Sequence, residues 1–213
     1  MFKRKVEAHQ EEAFAGLEAA KDYAESTQKS TMRYRAFLSN LKFLSIQGKY
    51  LDVGAGTGNL ATIIAQNNPD VEITALEISA DMMTVGEEYI RNKGLQGQIK
   101  FLKGDAVHKE TINELGEFDL IYSTYSLHHW ENPRKVIDNL VSNLGDNGVL
   151  YLYDLRRVWW LYWIPIRNGF FNSIRAAYVR REIKEMLTGF RPECYEIRYE
   201  FPFMQSVIIR KPC

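Results

Sequence analysis

One stretch limits the fold more than any other. Leu51-Asp52-Val53-Gly54-Ala55-Gly56-Thr57-Gly58-Asn59 runs from an apolar strand pattern through three alternating glycines into a helical pattern. Glycine tolerates positive φ and has no Cβ to keep a ligand away from the backbone. In an open parallel sheet such a turn lies at the carboxyl edge, where ligands bind. The spacing narrows the choice of ligand. A dinucleotide fingerprint, G-x-G-x-x-G, uses its third glycine to pack helix on strand, and that position is Asn59 here. A P-loop needs Gly-Lys-Ser/Thr, which does not occur in the turn. The turn therefore suits a ligand lacking a pyrophosphate.

Short apolar runs alternate with helical segments from Lys49 onward. Strand patterns fall at 50–53, 71–76, 99–103, 118–123 and 148–154, with helical patterns at 59–66, 80–93, 107–114 and 133–143. These β-then-α repeats predict a doubly wound α/β fold, a parallel sheet with helices on both faces. A last helix is expected at 180–187. Strands at 195–199 and 206–211 follow, joined through Phe201-Pro202-Phe203. With no helix between them they should pair antiparallel and close one edge. Upstream, helical spacing over 3–25, a polar break at 26–31 and a second helix carrying Tyr34, Phe37, Leu38, Leu41 and Phe43 predict an N-terminal arm. No repeat or low-complexity tract divides the chain, so one domain over 1–213 is expected. It comprises the arm (1–47), a ligand-binding core (48–155), and a segment (156–213) with an aromatic insertion, the last helix and the closing strands.

Two acidic residues sharpen the picture. Glu77 ends the second strand, where a carboxylate accepts both hydroxyls of a ribose. Asp105 follows the third strand in Lys103-Gly104-Asp105-Ala106, placed to accept from an adenine amino group. Either alone reads equally well as a solvated loop acid. At the ends of successive strands beside the glycine turn, they describe a nucleoside pocket.

From about Lys49 to Asp154, and more loosely to the C-terminus, the sequence resembles the class I S-adenosylmethionine-dependent methyltransferases. The likeness rests on LDVGAGTG, the Glu of ALEIS, the Asp of GDA, FDLIYSTYSLHHW and NLGDNGVLYLYD. It implies a Rossmann-like seven-stranded sheet, mostly parallel with the last strand inserted antiparallel, and S-adenosyl-L-methionine as cofactor. It also implies that Gly54 and Gly56 turn their backbone to the methionine moiety, while Asp52 orients the turn and helps receive the amino group. Glu77 would hold the ribose and Asp105 with Ala106 the adenine; Gly58, Ile78 and Ser123 complete the implied cofactor set. The family's usual K-P-G-G turn is Gly145-Asp146-Asn147-Gly148 here, a departure expected to affect only a surface turn.

Methyl transfer is an in-line displacement at a sulfonium, so the protein must hold an acceptor opposite the S–CH₃ bond and exclude water. Positioning contributes on the order of 7–11 kcal/mol in favourable cases. A base is needed only where the acceptor carries a proton. In the resembled family the loop after the fourth strand passes beneath the methyl group; here it reads Ser123-Thr124-Tyr125-Ser126-Leu127-His128-His129-Trp130. His128 or His129 is the candidate base, against a packing role for the pair. Tyr125 is the candidate to pack on the sulfonium or to hydrogen-bond the acceptor. For the acceptor pocket the candidates are Tyr23 and Tyr34 of the arm, which by family analogy folds over the cofactor. Trp159, Trp160, Arg156 and Arg167 of the aromatic insertion join them. Three readings of that insertion stay open: a helical cover, an apolar pocket wall whose arginines take an anionic group, and, least favoured, an interfacial membrane contact.

Composition removes other classes. The 27 basic and 27 acidic residues cancel, so no global field draws nucleic acid. The fourth-strand loop also lacks the Asn/Asp-Pro-Pro-Tyr type motif of base-amino methylases. Two cysteines, Cys194 and Cys213, have no metal-ligand spacing, which predicts neither metal nor disulfide framework and suits the cytoplasm. The apolar stretch 158–171 is too short and too polar to span a bilayer, and the basic start leads into acidic residues rather than a signal peptide's apolar run. The leading expectation is methyl transfer to a small, partly apolar acceptor. A non-catalytic S-adenosylmethionine-binding subunit, an RNA methyltransferase and a nucleotide-dependent oxidoreductase are the alternatives. The aromatic insertion is also compatible with a homo-oligomer.

Overall fold

The computed structural model describes residues 4–5, 16–29, 31–163 and 169–212. Its strands are β1 (Lys49–Val53), β2 (Glu72–Glu77), β3 (Ile99–Lys103), β4 (Phe118–Thr124), β5 (Leu144–Leu155), β6 (Tyr195–Glu200) and β7 (Met204–Arg210). They form one sheet in the order β3-β2-β1-β4-β5-β7-β6. The first five strands run parallel, and β7 pairs antiparallel with both β5 and β6. This is the predicted mostly parallel sheet with one antiparallel strand. The helices α3 (Asn59–Asn67), α4 (Ala80–Asn92), α5 (Lys109–Asn113) and α6 (Pro133–Ser142) join the parallel strands, and α7 (Gly169–Ala176) and α8 (Arg180–Met186) precede β6.

Alternation along the strands divides the core into two layers. Tyr50, Tyr122, Tyr151 and Tyr153 pack on one face; Leu51, Ile121, Leu150 and Leu152 pack on the other. Both faces are buried, as a parallel sheet requires. The arm covers the tyrosine face. It consists of α1 (Leu17–Gln28), a 3₁₀ turn (Thr31–Tyr34) and α2 (Arg35–Leu44). Phe37 of α2 stacks on Tyr151 with ring centroids 4.6 Å apart and leans on Tyr122 at 5.6 Å. Burying such a ring contributes roughly 1.5–3 kcal/mol, so α2 is a structural layer as well as an appendage.

Two expectations needed correction. Helix α1 continues to Gln28, into the first residues of the stretch expected to break it; the predicted first helix otherwise falls partly on 6–15, outside the described residues. The strand expected to begin at 148 begins at Leu144, so Gly145 to Gly148 lies inside β5, where pairing with β4 jumps from Phe118↔Leu144 to Leu120↔Val149. Asp146 and Asn147 are exposed there and Asn147 has φ +61°, so the segment still bulges at the surface as expected. Gly148 sits so close to the carbonyls of Gly145 and Phe118 that a Cβ there would approach both to 2.9 Å. Backbone proximity, not turn propensity, selects glycine there.

Candidate functional site

The glycine turn between β1 and α3 sits at the carboxyl edge. Gly54, Gly56 and Gly58 all have positive φ, at 72°, 57° and 70°, a region costly for residues with a Cβ. Their surroundings differ. Gly54 is exposed, and a Cβ there would lie 2.5 Å from the Ser126 hydroxyl oxygen. Gly56 lies under the Tyr23 ring, 3.6 Å from where its Cβ would be. Gly58 is buried and its missing Cβ makes room for the Phe101 ring at 3.0 Å. Gly58 therefore packs helix on sheet, while Gly54 and Gly56 line the open side.

Glu77, at the end of β2, organises this edge. One carboxylate oxygen accepts from the Gly56 amide at 2.8 Å, and the other from the amides of Ile78 and Ser79 at 3.0 and 2.9 Å. The carboxylate thus fixes the glycine turn and the start of α4 together. Ile78 beside it is an exposed apolar side chain. On β1, Asp52 is buried opposite Tyr122 of β4. Burial pushes its pKa up to about 8; the facing Tyr122 hydroxyl opposes that rise and the Glu77 charge adds to it. Asp105, after β3, accepts from the Val107 amide at 2.9 Å. Ala106 is buried, and its carbonyl accepts from the Asn139 side chain of α6 at 2.9 Å. Ser123 is also buried, and its hydroxyl donates to the Val53 carbonyl at 2.7 Å. It braces the turn from behind.

The arm closes over the turn. The Asn59 side chain donates to the Thr27 carbonyl at 2.9 Å, and the Gly16 amide donates to Asp81 at 3.0 Å. These bonds tie α1 to the starts of α3 and α4. The Tyr23 hydroxyl is held neutral by burial, with the charges of Glu77 and Asp52 adding to the effect and Arg33 opposing it. Tyr34 packs edge-on against Tyr125 at 6.1 Å. Arg33 lies 4.4 Å above the Tyr125 ring, whose hydroxyl donates to the Arg33 carbonyl at 3.1 Å. Tyr125 has φ +58°, strained for a residue with a side chain. Its hydroxyl is engaged with the arm, and burial raises its pKa.

His128 and His129 differ sharply. His128 is buried at 2% exposure, and its Nδ1 lies 2.7 Å from the Asp154 carboxylate at the end of β5. The same carboxylate accepts from the amides of His128 and Leu155 at 2.8 and 2.7 Å. With Nδ1 donating to that carboxylate, the neutral ring would present Nε2 as an acceptor. Nε2 has no hydrogen-bond partner among the described residues. His129 stacks its ring 4.0 Å from His128 but is exposed along one side. Partial burial and the adjacent His128 push its pKa down, so it is neutral at pH 7.

The acceptor candidates of the aromatic insertion do not gather at the turn. Trp159 is 67% exposed, and Trp160 leans on Phe203 at 5.8 Å. Arg156 lies over Tyr199 at 4.5 Å. Tyr199 belongs to the edge strand, and β4, β5 and β7 separate that strand from β1, a distance of roughly 19 Å at about 4.8 Å per strand. Arg167 lies outside the described residues.

Sequence reasoning missed Asp154 as the partner of His128, Asn59 as the tie to α1, and Asn139 as the support of the Asp105 loop. Asp154 did carry a signal: it is an acid ending a fully apolar strand, the same position Glu77 holds on β2.

A parallel sheet with one antiparallel strand, a glycine turn, and Asp52, Glu77 and Asp105 on successive strand ends define a domain of the class I methyltransferase type. Residues 51–150 match the family model of a methyltransferase domain. A demethylmenaquinone methyltransferase from Porphyromonas gingivalis is 25% identical over 170 residues, covering 68% of this chain and 69% of that protein. The chain spans less than half the length of most of the curated relatives it matches. Among solved structures, the plantazolicin methyltransferase BamL, in complex with a triazolic desmethylPZN analog and SAH, superposes with a TM-score of 0.71 at 17% identity, covering 94% of this chain and 93% of that one. Human N-acetylserotonin methyltransferase in complex with SAM gives a TM-score of 0.71 at 16% identity over 98% of this chain and 61% of that one. At such identities the likeness is one of fold.

Proposed function

We propose that this chain is a methyltransferase that moves the methyl group of S-adenosylmethionine to a small, partly apolar acceptor. The observation that carries the reading is the Glu77 carboxylate, bonded to Gly56 and flanked by Asp52 and Asp105, beside a turn whose glycines keep the backbone open. Acceptor-rich and without a phosphate-binding Lys in the turn, this set suits hydroxyls, an amino group and a sulfonium. The cofactor supplies an electrophilic methyl on a good leaving group, so the protein's task is positioning and exclusion of water. Glu77 would accept the ribose hydroxyls and Asp105 the adenine amino group, with Ile78 covering the base. Asp52, behind the turn, favours a cation. Tyr23, Tyr34 and Arg33 roof the site and keep water out; Tyr125 forms its wall. His128 takes the acceptor's proton on Nε2, and Asp154 stabilises the resulting imidazolium and orients the ring.

Parallel calorimetric titrations with S-adenosylmethionine, S-adenosylhomocysteine and NAD test the assignment. Binding of both sulfur nucleosides without NAD is expected. Binding of NAD alone would sink it.

A further inference from the structure

The aromatic insertion plays no part in the proposed chemistry, yet it sits where β5 ends, at the same carboxyl edge of the sheet. Residues 155–181 contain six arginines, seven aromatic residues and no lysine or acidic residue, in a chain of zero formal net charge. A helical cover would bury its aromatics and expose its arginines. The structure departs from that pattern for both residue types, although Arg180 and Arg181 stay exposed. Trp159, Trp160 and Trp163 on the 3₁₀ segment Trp159–Trp163 are exposed, as is Phe170 of α7, while Leu161 faces inward and Arg157 and Arg175 are buried. The surface continues onto the β6–β7 turn through Trp160 against Phe203, and there Phe201 is 97% exposed.

Charge completes the description. Arg156 and Arg180 both lie over the Tyr199 ring, at 4.5 and 5.7 Å. Among the described residues neither pairs with a carboxylate. Nearby acids are otherwise committed: Glu182 to Arg157, Glu196 to Arg198, Glu200 to Asn40. The patch is thus apolar at its tips and cationic at its base. A second copy is a poor occupant, because a two-fold contact would bring identical cationic faces together.

We propose that this surface docks on an anionic phospholipid bilayer, with the tryptophans at headgroup depth and Arg156 and Arg180 on lipid phosphates. Docked this way, the carboxyl edge of the sheet faces the bilayer. The contact itself does not depend on the methyl-transfer reading.

Co-sedimentation with phosphatidylcholine vesicles containing about a third phosphatidylglycerol, against pure phosphatidylcholine, tests it without any cofactor. Binding to the anionic vesicles that weakens with salt is expected. Trp159→Ser with Phe201→Ser should cut partitioning by about tenfold or more, with an unchanged thermal midpoint because both side chains are exposed. Arg156→Gln with Arg180→Gln should erase the preference for anionic lipid. Absence of sedimentation, or sedimentation indifferent to both double variants, would overturn the proposal. So would a dimer seen by light scattering that the Trp159/Phe201 double variant dissociates while wild-type protein ignores vesicles.

Discussion

The two ends of the carboxyl edge are built from different materials. At the β1–β3 end the groups are backbone amides, short carboxylates and absent Cβ atoms, each held by a named bond to its neighbour. At the β5–β7 end they are large rings that face outward, with guanidinium groups lying over one of them. A ligand with fixed hydroxyls and charges demands the first construction. A surface that meets a deformable or chemically loose partner tolerates the second. Substitutions at one end should therefore leave the other's function intact, and the sharpest way to break that contrast is to find one that does not.

The largest effect is expected between the two ends, at His128. His128→Ala should lower turnover by about 10²–10⁴-fold with cofactor affinity retained by calorimetry. Asp154→Asn should follow in the same direction, because an amide facing Nδ1 favours the tautomer with a proton already on Nε2. Full activity in both variants would assign the pair to holding the loop. Next comes Glu77→Ala, expected to weaken S-adenosylmethionine by roughly 1.5–3 kcal/mol, while Trp159→Ser leaves that affinity unchanged. Equal losses in the two variants would dissolve the distinction between the ends.

How legible each end was in the sequence follows from the same difference. Strand β3 begins and ends where its apolar run does, β1 and β4 differ from expectation by a residue at one boundary, and β2 is shifted by one residue at both. Glu77 and Asp105 were legible because a strand's end fixes where its last side chain goes. His128–Asp154 was half legible: each residue stood at a visible strand end or loop, but pairing across 26 positions depends on β4 and β5 being neighbours. The roof was less so. Arg33 over Tyr125 joins residues 92 apart, and no local period encodes that. Nor does any pattern reveal that Trp159 faces outward, since a 3₁₀ segment and an amphipathic helix share the same run of aromatics.

A smaller effect tests the foundation of the nucleoside end. Gly86 lies inside α4, where alanine ordinarily stabilises a helix by about 1 kcal/mol. Here a Cβ would come 2.4 Å from the tip of the Phe101 ring and 3.2 Å from the Thr57 backbone carbonyl carbon. Overpacking of that kind costs about 1–3 kcal/mol, so the sign reverses. Gly86→Ala should lower the thermal midpoint, and Phe101→Leu in the same chain should restore part of it. A more stable Gly86→Ala protein would mean that the Phe101 ring moves freely and that Gly58 needs another explanation.

The subtlest test is of charge. Asp52 has a pKa near 8 in the folded chain against about 4 when unfolded, so the folded state holds the proton more tightly. The stability this contributes is complete below about pH 4 and is lost as pH rises through about 8; the midpoint of the wild-type protein should fall over that window relative to Asp52→Asn. A cation bound beside the turn favours the ionised form. S-adenosylmethionine affinity should then rise with pH over the same range, by at most about tenfold per unit, and binding near pH 7 should release a proton. Calorimetry in two buffers of different ionisation enthalpy reads that proton directly. Its absence, or its persistence in Asp52→Asn, would move the cation's partner elsewhere and leave Asp52 as a brace for the glycine turn. Either result separates the carboxylates that hold the ligand from those that hold the loop, which Glu77, bonded to Gly56 while facing the site, does not do on its own.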